Sequence, residues 1–345
     1  MRYRYLGLQK KAVAVILGIE SSCDETSASV CINGKVINNE IASQAIHEQY
    51  GGVVPELASR EHQRNIVPVV DHVLTHADIN VKDLDGIAYT RGPGLLGALL
   101  IGSSFAKSMA ASLNIPLIPV HHMKAHVLAH FIDDPKPSYP FICLTVSGGH
   151  TQILRVNSAT DMIILGQTQD DAVGEAFDKA AKLLGLPYPG GPMIDKLSKE
   201  GDPNKFQFAQ SEMPDLDYSF SGIKTSILYF LRKQVQNDED FVNNNLNDLA
   251  ASIQHTLINM LMNKLVKAAK QEDIKQIAIA GGVSANSGLR QALKQEAEIN
   301  GWDIFIPDFQ YCTDNAGMIA MSGHLLYEHG AFGELTDSPL PRMPF

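Results

Sequence analysis

Two distant stretches of the chain repeat one another, and this repetition limits the possible folds more than any other feature. Ile87-Ala88-Tyr89-Thr90 reads as a buried strand, Arg91-Gly92-Pro93-Gly94 as a turn, 95–113 as a small-residue helix and 115–120 as a further strand. Ile277-Ala278-Ile279-Ala280, the turn Gly281-Gly282-Val283-Ser284-Ala285-Asn286, a helix over 287–300 and a strand over 302–307 follow in the same order. Each set is a pair of parallel strands joined by a crossover helix. The stretches that open the halves correspond as well. Residues 12–19 form a buried strand, 20–26 a polar loop and 27–32 an alternating strand closed by the Asn33-Gly34 hairpin turn. Later, 141–146 is a strand, Ser147-Gly148-Gly149-His150 a turn and 151–156 the next strand. The expected fold class is therefore a duplicated α/β fold of two lobes.

The boundaries follow from turn formers and composition. Residues 1–11 form an N-terminal extension, 12–134 the first lobe, and the proline-rich 135–140 a linker. Residues 141–332 form the second lobe with helical insertions, and 333–345 a surface tail. The stretch 171–270 reads as mainly helical, with a break at 185–192 and a loop at 201–217. Arg2, Arg4, Lys10 and Lys11 before the apolar 12–19 superficially resemble a signal peptide. Glu20 and Asp24 follow at once with no small-residue cleavage site, so a buried strand and a cytoplasmic protein are expected. No apolar run is expected to reach the ~18 residues of a membrane span. Four cysteines, at 23, 31, 143 and 312, have no framework spacing and are expected as reduced thiols. A net charge of -10 opposes general affinity for nucleic acid, which relies on cationic contacts to phosphates. An RNA partner would need a local basic patch or help from other subunits.

His121-His122-Met123-Lys124-Ala125-His126 directly follows the last strand of the first repeat. On a helix, His122 and His126 share a face, where two imidazoles can hold one metal ion. Cys312-Thr313-Asp314-Asn315 follows the last strand of the second repeat, so pseudo-symmetry would bring Asp314 opposite the histidines across a cleft between the lobes. Two His and one Asp with open positions suit Fe(II) or Zn(II). The competing role for Asp314 is as N-cap of a helix over 316–327, a role Thr313 could fill instead.

The glycines of 147–150 and 281–286 fall just after strands, where a ligand can approach backbone N–H groups. With the loop at 20–26, they outline the phosphate and adenosine contacts of an actin-like or sugar-kinase-like fold. No Gly-x-x-x-x-Gly-Lys-Ser/Thr loop is present, which excludes a P-loop enzyme. Glu175, Asp178 and Lys179 share a helix and read first as a solvated face. The turn Tyr188-Pro189-Gly190-Gly191-Pro192 after it fixes the backbone so that Asp178 and Asp195 could bind ribose hydroxyls. Ser219-Phe220-Ser221 begins another helix, either as a cap or as a ligand loop.

Glu20 to Thr26, Tyr50-Gly51-Gly52-Val53-Val54-Pro55-Glu56-Leu57-Ala58-Ser59-Arg60, His121 to His126, Val146 to Thr151, Asp170 to Lys179, Ser219 to Thr225, Gly281 to Asn286 and Thr313-Asp314-Asn315 together resemble the TsaD family of tRNA adenosine threonylcarbamoyltransferases, over roughly 13–335. The resemblance implies a duplicated actin-like fold with a metal and nucleotide cleft between the lobes. The implied reaction moves threonylcarbamoyl from threonylcarbamoyl-AMP to N6 of the adenosine 3′ of the anticodon, releasing AMP and forming t6A. Carried over by position, His122, His126 and Asp314 are the ligands of one divalent metal, Fe(II) ahead of Zn(II). Thr145, Val146, Ser147, Gly148, Gly149, Asp178, Gly191, Asp195 and Asn286 line the adenylate site, and Asp24, Glu25 and His150 are candidates for proton handling. Implied partners are the tRNA anticodon loop, a shorter TsaB-like paralogue and a TsaE-like P-loop ATPase, with no membrane. The N-terminal extension is longer than the resemblance leads one to expect of bacterial members, and Gly317 stands where the family more often has alanine, softening the helix behind Asp314.

Two readings from other classes compete. A zinc peptidase of the His-Glu-x-x-His type needs a glutamate between the histidines, where this chain has Met123, Lys124 and Ala125. An ATP-dependent kinase or switch of the actin-like class would use the same loops and need no metal-bound histidines.

Overall fold

The computed structural model describes residues 13–42, 53–211 and 213–345, so the extension over 1–11 and the Tyr50-Gly51-Gly52 start of one motif lie outside the described residues. The chain divides into two compact units, one formed by the described residues up to Lys136 together with Thr313–Phe345, the other by Pro137–Cys312.

In the first unit, β1 (Val15–Glu20) and β2 (Thr26–Ile32) are antiparallel, and Asn33-Gly34 turns the chain into β3 (Lys35–Ala42). Both turn residues have positive φ, the conformation that a two-residue hairpin of this twist requires. Helix α1 (Pro55–His76) leads to β4 (Gly86–Gly92), and α2 (Leu96–Leu113) crosses over to β5 (Leu117–His121), which runs directly into α3 (His122–Leu128). The sheet order is β3-β2-β1-β4-β5, with β1, β4 and β5 parallel. Leu17 and Ile19 of β1 join Val30, Ile87, Tyr89 and residues of α1 and α2 in one core.

The second unit repeats this topology. β6 (Phe141–Val146), β7 (Thr151–Val156) and β8 (Met162–Gln167) form the antiparallel part. Helices α4 (Val173–Leu183), α5 (Gly190–Ser198), α6 (Ser221–Val235), α7 (Phe241–Asn244) and α8 (Leu246–Glu272) follow. Then β9 (Gln276–Ala280), α9 (Ser287–Asn300) and β10 (Asp303–Phe305) complete the sheet in the order β10-β9-β6-β7-β8. The duplication expected from the sequence is thus present strand for strand. The expected helical break at 185–192 is shorter than anticipated, because α5 already starts at Gly190, where Asp178 accepts its first N–H groups.

The chain then returns to the first unit through α10 (Ala316–His329). This corrects the expected second lobe over 141–332 and the separate tail over 333–345. The reason is steric: Gly18 of β1 lies against α10 so closely that a Cβ there would sit 2.5 Å from the backbone N of Ala320. Gly323 repeats the fit, its own missing Cβ falling 2.3 Å from Ala88 Cβ. The two sheet faces are covered by α1 and α2 on one side and α10 on the other, which makes β1 a continuous buried run.

Helix α2 also departs from expectation. Its 18 residues, with mean hydropathy 1.3, match a membrane span in length and composition, although its small residues Ala98, Gly102, Ala106 and Ala110 are buried against the protein. All four cysteines are free thiols.

Substituting Gly18→Ala is expected to push α10 off the sheet and lower stability by about 1–3 kcal/mol. Denaturant unfolding of the variant beside wild type checks this.

Candidate functional site

Three element ends converge in the first unit. The end of β1 supplies Glu20, the β5–α3 junction supplies His122 and His126, and the residues just before α10 supply Asp314. One helical turn separates the two histidines, whose rings stand 4.8 Å apart and nearly perpendicular. His122 Nε2 and His126 Nε2 each lie 3.2 Å from the same oxygen, Asp314 Oδ1. The expected three-residue group therefore forms, but within one unit, because Thr313–Phe345 belongs with the first sheet. Nor is Asp314 or Thr313 the helix cap: Asn315 is, its side chain accepting from Met318 N at 3.0 Å. Asp314 keeps its oxygens for the histidines.

Glu20 lies outside the expected site residues, and its position supplies the test of whether a metal fits. It is fully buried at the end of an apolar strand. Its Oε1 accepts from Ser22 N, and its Oε2 accepts from Thr90 Oγ1 at 2.6 Å and lies 3.2 Å from His122 Nδ1. A carboxylate on Nδ1 fixes the proton there and leaves the Nε2 lone pair facing the centre, the arrangement that orients metal-bound histidines. His126 Nδ1 is buried with no hydrogen-bond partner among the described residues. The donor set, N, N and O within 4.8 Å of one another, suits a divalent ion of borderline softness. A carboxylate ending a strand of otherwise apolar residues is the sequence signal that points to Glu20.

Without an ion, the charges neutralise one another. Burial alone would lower the His122 pKa, but Asp314 and Glu20 raise it well above the ordinary imidazole value. Burial would raise Asp314, yet His122 and His126 hold it well below the usual carboxylate range. Beside this group, Glu25 is pushed up to about 9 by burial and by the charges of Asp314 and Asp24, so it is a neutral acid at pH 7. His62 of α1 clamps the same turn, its Nδ1 2.8 Å from Thr26 Oγ1 and its Nε2 3.0 Å from the Cys23 carbonyl.

The second unit holds a cavity of about 350 Å³ lined by Gly148, Gly174, Phe177, Asp178, Pro189, Gly191, Pro192, Asp195, Lys196, Lys199, Gly282, Val283, Ala285 and Asn286. Five of the expected substrate residues meet there: Gly148, Asp178, Gly191, Asp195 and Asn286. Thr145 and Val146 are instead fully buried in β6, and Ser147 and Gly149 belong to the adjoining turn without lining the cavity. In that turn Ser147 Oγ accepts from His150 N at 3.0 Å. His150 thus stands in the second unit, Asp24 and Glu25 in the first.

Several cavity side chains also build the fold. Asp178 Oδ1 accepts from Gly190 N and Gly191 N at 2.8 and 3.3 Å, and Asp195 Oδ1 accepts from Ser287 Oγ at 2.7 Å. Asn286 caps α9 and donates to Gln254 Oε1 at 2.6 Å. A Cβ built at Gly148 or Gly282 meets nothing within 4 Å, so both backbones face open space. Gly281, at φ +88, instead lies so close to the Val146 carbonyl that only glycine fits. Ser219 and Ser221 are tied to Asp170, each hydroxyl donating to its Oδ2 at 2.6 Å, which anchors the start of α6.

Residues 35–321 match the family model described as TsaD: tRNA N6-adenosine threonylcarbamoyltransferase. A Cytophaga hutchinsonii protein named tRNA N6-adenosine threonylcarbamoyltransferase is 58% identical, the match covering 95% of this chain and 96% of the relative. A Porphyromonas gingivalis protein of the same name is 55% identical over 95% and 98%. Among solved structures, full-length HypF in a phosphate- and nucleotide-bound form aligns with TM-score 0.60 at 13% identity, over 93% of this chain and 47% of that one. Component A of (R)-2-hydroxyglutaryl-CoA dehydratase from Acidaminococcus fermentans aligns with TM-score 0.50 at 15% identity, over 92% and 97%. These distant structures carry the actin-like fold alone.

Replacing Glu20→Gln keeps the shape and removes the charge on His122 Nδ1, so metal affinity is expected to fall roughly 10–100-fold in a chelator competition titration. Metal retention of the wild type is expected to decline as pH falls, because protons and the ion compete for the histidine nitrogens. Metal content measured after dialysis across a pH series checks the sign.

Proposed function

This chain belongs to the TsaD family, the tRNA N6-adenosine threonylcarbamoyltransferases, and we propose from that premise how its two sites divide the reaction. It is a transferase that places a threonylcarbamoyl group on N6 of an adenosine in tRNA, forming t6A. The target is adenosine 37, next to the anticodon of tRNAs that read codons starting with adenine, and the donor is threonylcarbamoyl-AMP. N6 attacks the carbamoyl carbonyl carbon, the bond from that carbon to the phosphate oxygen breaks, AMP leaves, and the amine loses a proton.

The observation that carries this reading is the convergence of His122 Nε2 and His126 Nε2 on Asp314 Oδ1. A single divalent ion there, Fe(II) ahead of Zn(II), would act as a Lewis acid toward the threonylcarbamoyl carbonyl. Glu20 holds His122 in the tautomer that presents Nε2. Both Glu20 oxygens accept hydrogen bonds and the residue is fully buried, so it is not the general base that a peptidase would need. The adenylate goes to the cavity of the second unit, where the open backbones at Gly148 and Gly282 receive the phosphate and Asp178 and Asp195 the ribose. Thr145 and Val146 of β6 and the turn residues Ser147 and Gly149 shape that site from behind. Because an adenine amine is a poor nucleophile, positioning is the larger part of the catalysis. Asp24, Glu25 and His150 are the groups proposed to take up and deliver the proton.

With a net charge of -10, the chain acts with partners that help to grip the anticodon loop, a TsaB-like paralogue and a TsaE-like P-loop ATPase, in the cytoplasm. Exposed Leu96 and Leu100 on α2 and Val67 on α1 offer the paralogue an apolar surface.

Transfer of labelled threonylcarbamoyl from its adenylate to unmodified tRNA, with purified partners, tests this. His126→Ala and Asp314→Asn are expected to lose activity by at least ~100-fold with a parallel loss of bound metal. Turnover of ATP by the chain alone, with no transfer to tRNA, would instead support the switch reading.

A further inference from the structure

We propose that residues 337–345 are a positioning strap that holds the metal centre assembled, acting on it from two sides. This rests on the metal-centre reading above. The segment is built into the first unit and does not merely lie on its surface. Arg91, at the end of β4, binds it twice through its side chain: Nε donates to the Ser338 carbonyl at 3.0 Å, and the guanidinium lies 3.6 Å from Asp337. Lys107 of α2 donates to the Asp337 carbonyl. The backbone adds two more bonds, Leu340 N to the Arg91 carbonyl at 2.8 Å and Gly94 N to the Pro341 carbonyl at 3.2 Å. The passage is closed to side chains, because a Cβ on Gly92 would stand 2.0 Å from the Leu340 carbonyl oxygen.

The first side runs through the loop the strap grips. Leu95 N donates to the Ser22 carbonyl at 2.8 Å, and a Cβ on Gly94 would come within 2.5 Å of that oxygen. Ser22 in turn donates its N–H to Glu20 and sets its Oγ 3.3 Å from His122 Nδ1. The loop gripped by the strap is therefore packed against the turn that orients His122. The second side is direct. The Phe345 ring meets the edge of His121 at 5.4 Å between centroids, and Lys124 Nζ lies 4.9 Å over the same ring. His121 and Lys124 flank His122 at the start of α3, so the ring braces the turn of helix that carries both metal-binding imidazoles. Such supporting contacts govern how long a metal stays, because the ligands must splay apart before the ion can leave.

Full-length Phe345→Ala, Phe345→Tyr, Gly92→Val and Arg342→Ala, each loaded with Co(II), are compared with wild type by stopped-flow release to a chelator and by thermal unfolding of the metal-free form. Phe345→Ala and Gly92→Val are expected to release Co(II) roughly tenfold faster or more. Phe345→Tyr, which keeps the ring, and Arg342→Ala, exposed in the same segment, are expected to release it at the wild-type rate. Unchanged release from Phe345→Ala overturns the strap, as does a lowered metal-free melting temperature with an unaltered release rate, which is what a purely structural contact would give. If Gly92→Val does not fold, the Phe345→Ala and Phe345→Tyr pair decides. Failure of the wild type itself to bind Co(II) overturns the metal-centre reading and the strap with it, whereas binding with equal release in all variants overturns the strap alone.

Discussion

The contact on which the first unit depends is the approach of two backbones, β1 at Gly18 and α10 at Ala320. Sheet and helix can pack this closely only where one of them has no side chain. With α10 seated, the residues just before it arrive beside the ends of β1 and β5. Parallel sheets concentrate their chemistry at the carboxyl ends of the strands, because loops and helix starts meet there. Here that region receives Glu20 from one strand end, the two imidazoles from another, and Asp314 from a segment nearly two hundred residues further on.

The electrostatics of the centre follow from burial. A carboxylate with no solvent, such as Glu20, stays charged only if every oxygen is answered, and Ser22, Thr90 and His122 do so. That requirement makes Glu20 a fixed negative charge behind His122. Asp314 is free to face the imidazoles because Asn315 takes the capping role, so helix start and imidazole partner are supplied by neighbouring residues without conflict. In the second unit the same economy appears in another form. Asp178 and Asp195 each have one oxygen tied into the backbone or a neighbouring helix, which fixes the carboxylates that line the cavity, while Asn286 uses both polar atoms of its side chain within the fold.

Much of this was legible in the residues. The duplication could be read because strand, glycine turn and helix recur in one order, and the two sheets have matching strand orders. The spacing of His122 and His126 was legible because helical periodicity is local. What lay beyond reach was contact between distant segments. Nothing in the periodicity of 316–329 says that its helix covers β1, so Asp314 was assigned to the opposite lobe. The match of Thr145 to Gly149 as a block also hid a distinction that burial makes plain, since the strand that carries Thr145 and Val146 is covered along its whole length. In the sequence Glu20 reads as part of a polar loop, although its place at the end of an apolar strand implies a buried partner.

The discontinuous make-up of the first unit has a consequence for synthesis. Pro137–Cys312 is one unbroken stretch and can close its core as soon as it has left the ribosome. The first sheet, although made earlier, has one face bare until α10 emerges, and its long-range pairing makes it the slower part to complete. A nascent chain therefore holds the two histidines for a long interval without Asp314. The order of the segments along the chain thus brings Asp314, the last of the three converging side chains, to the histidines only once the end of the chain is being made.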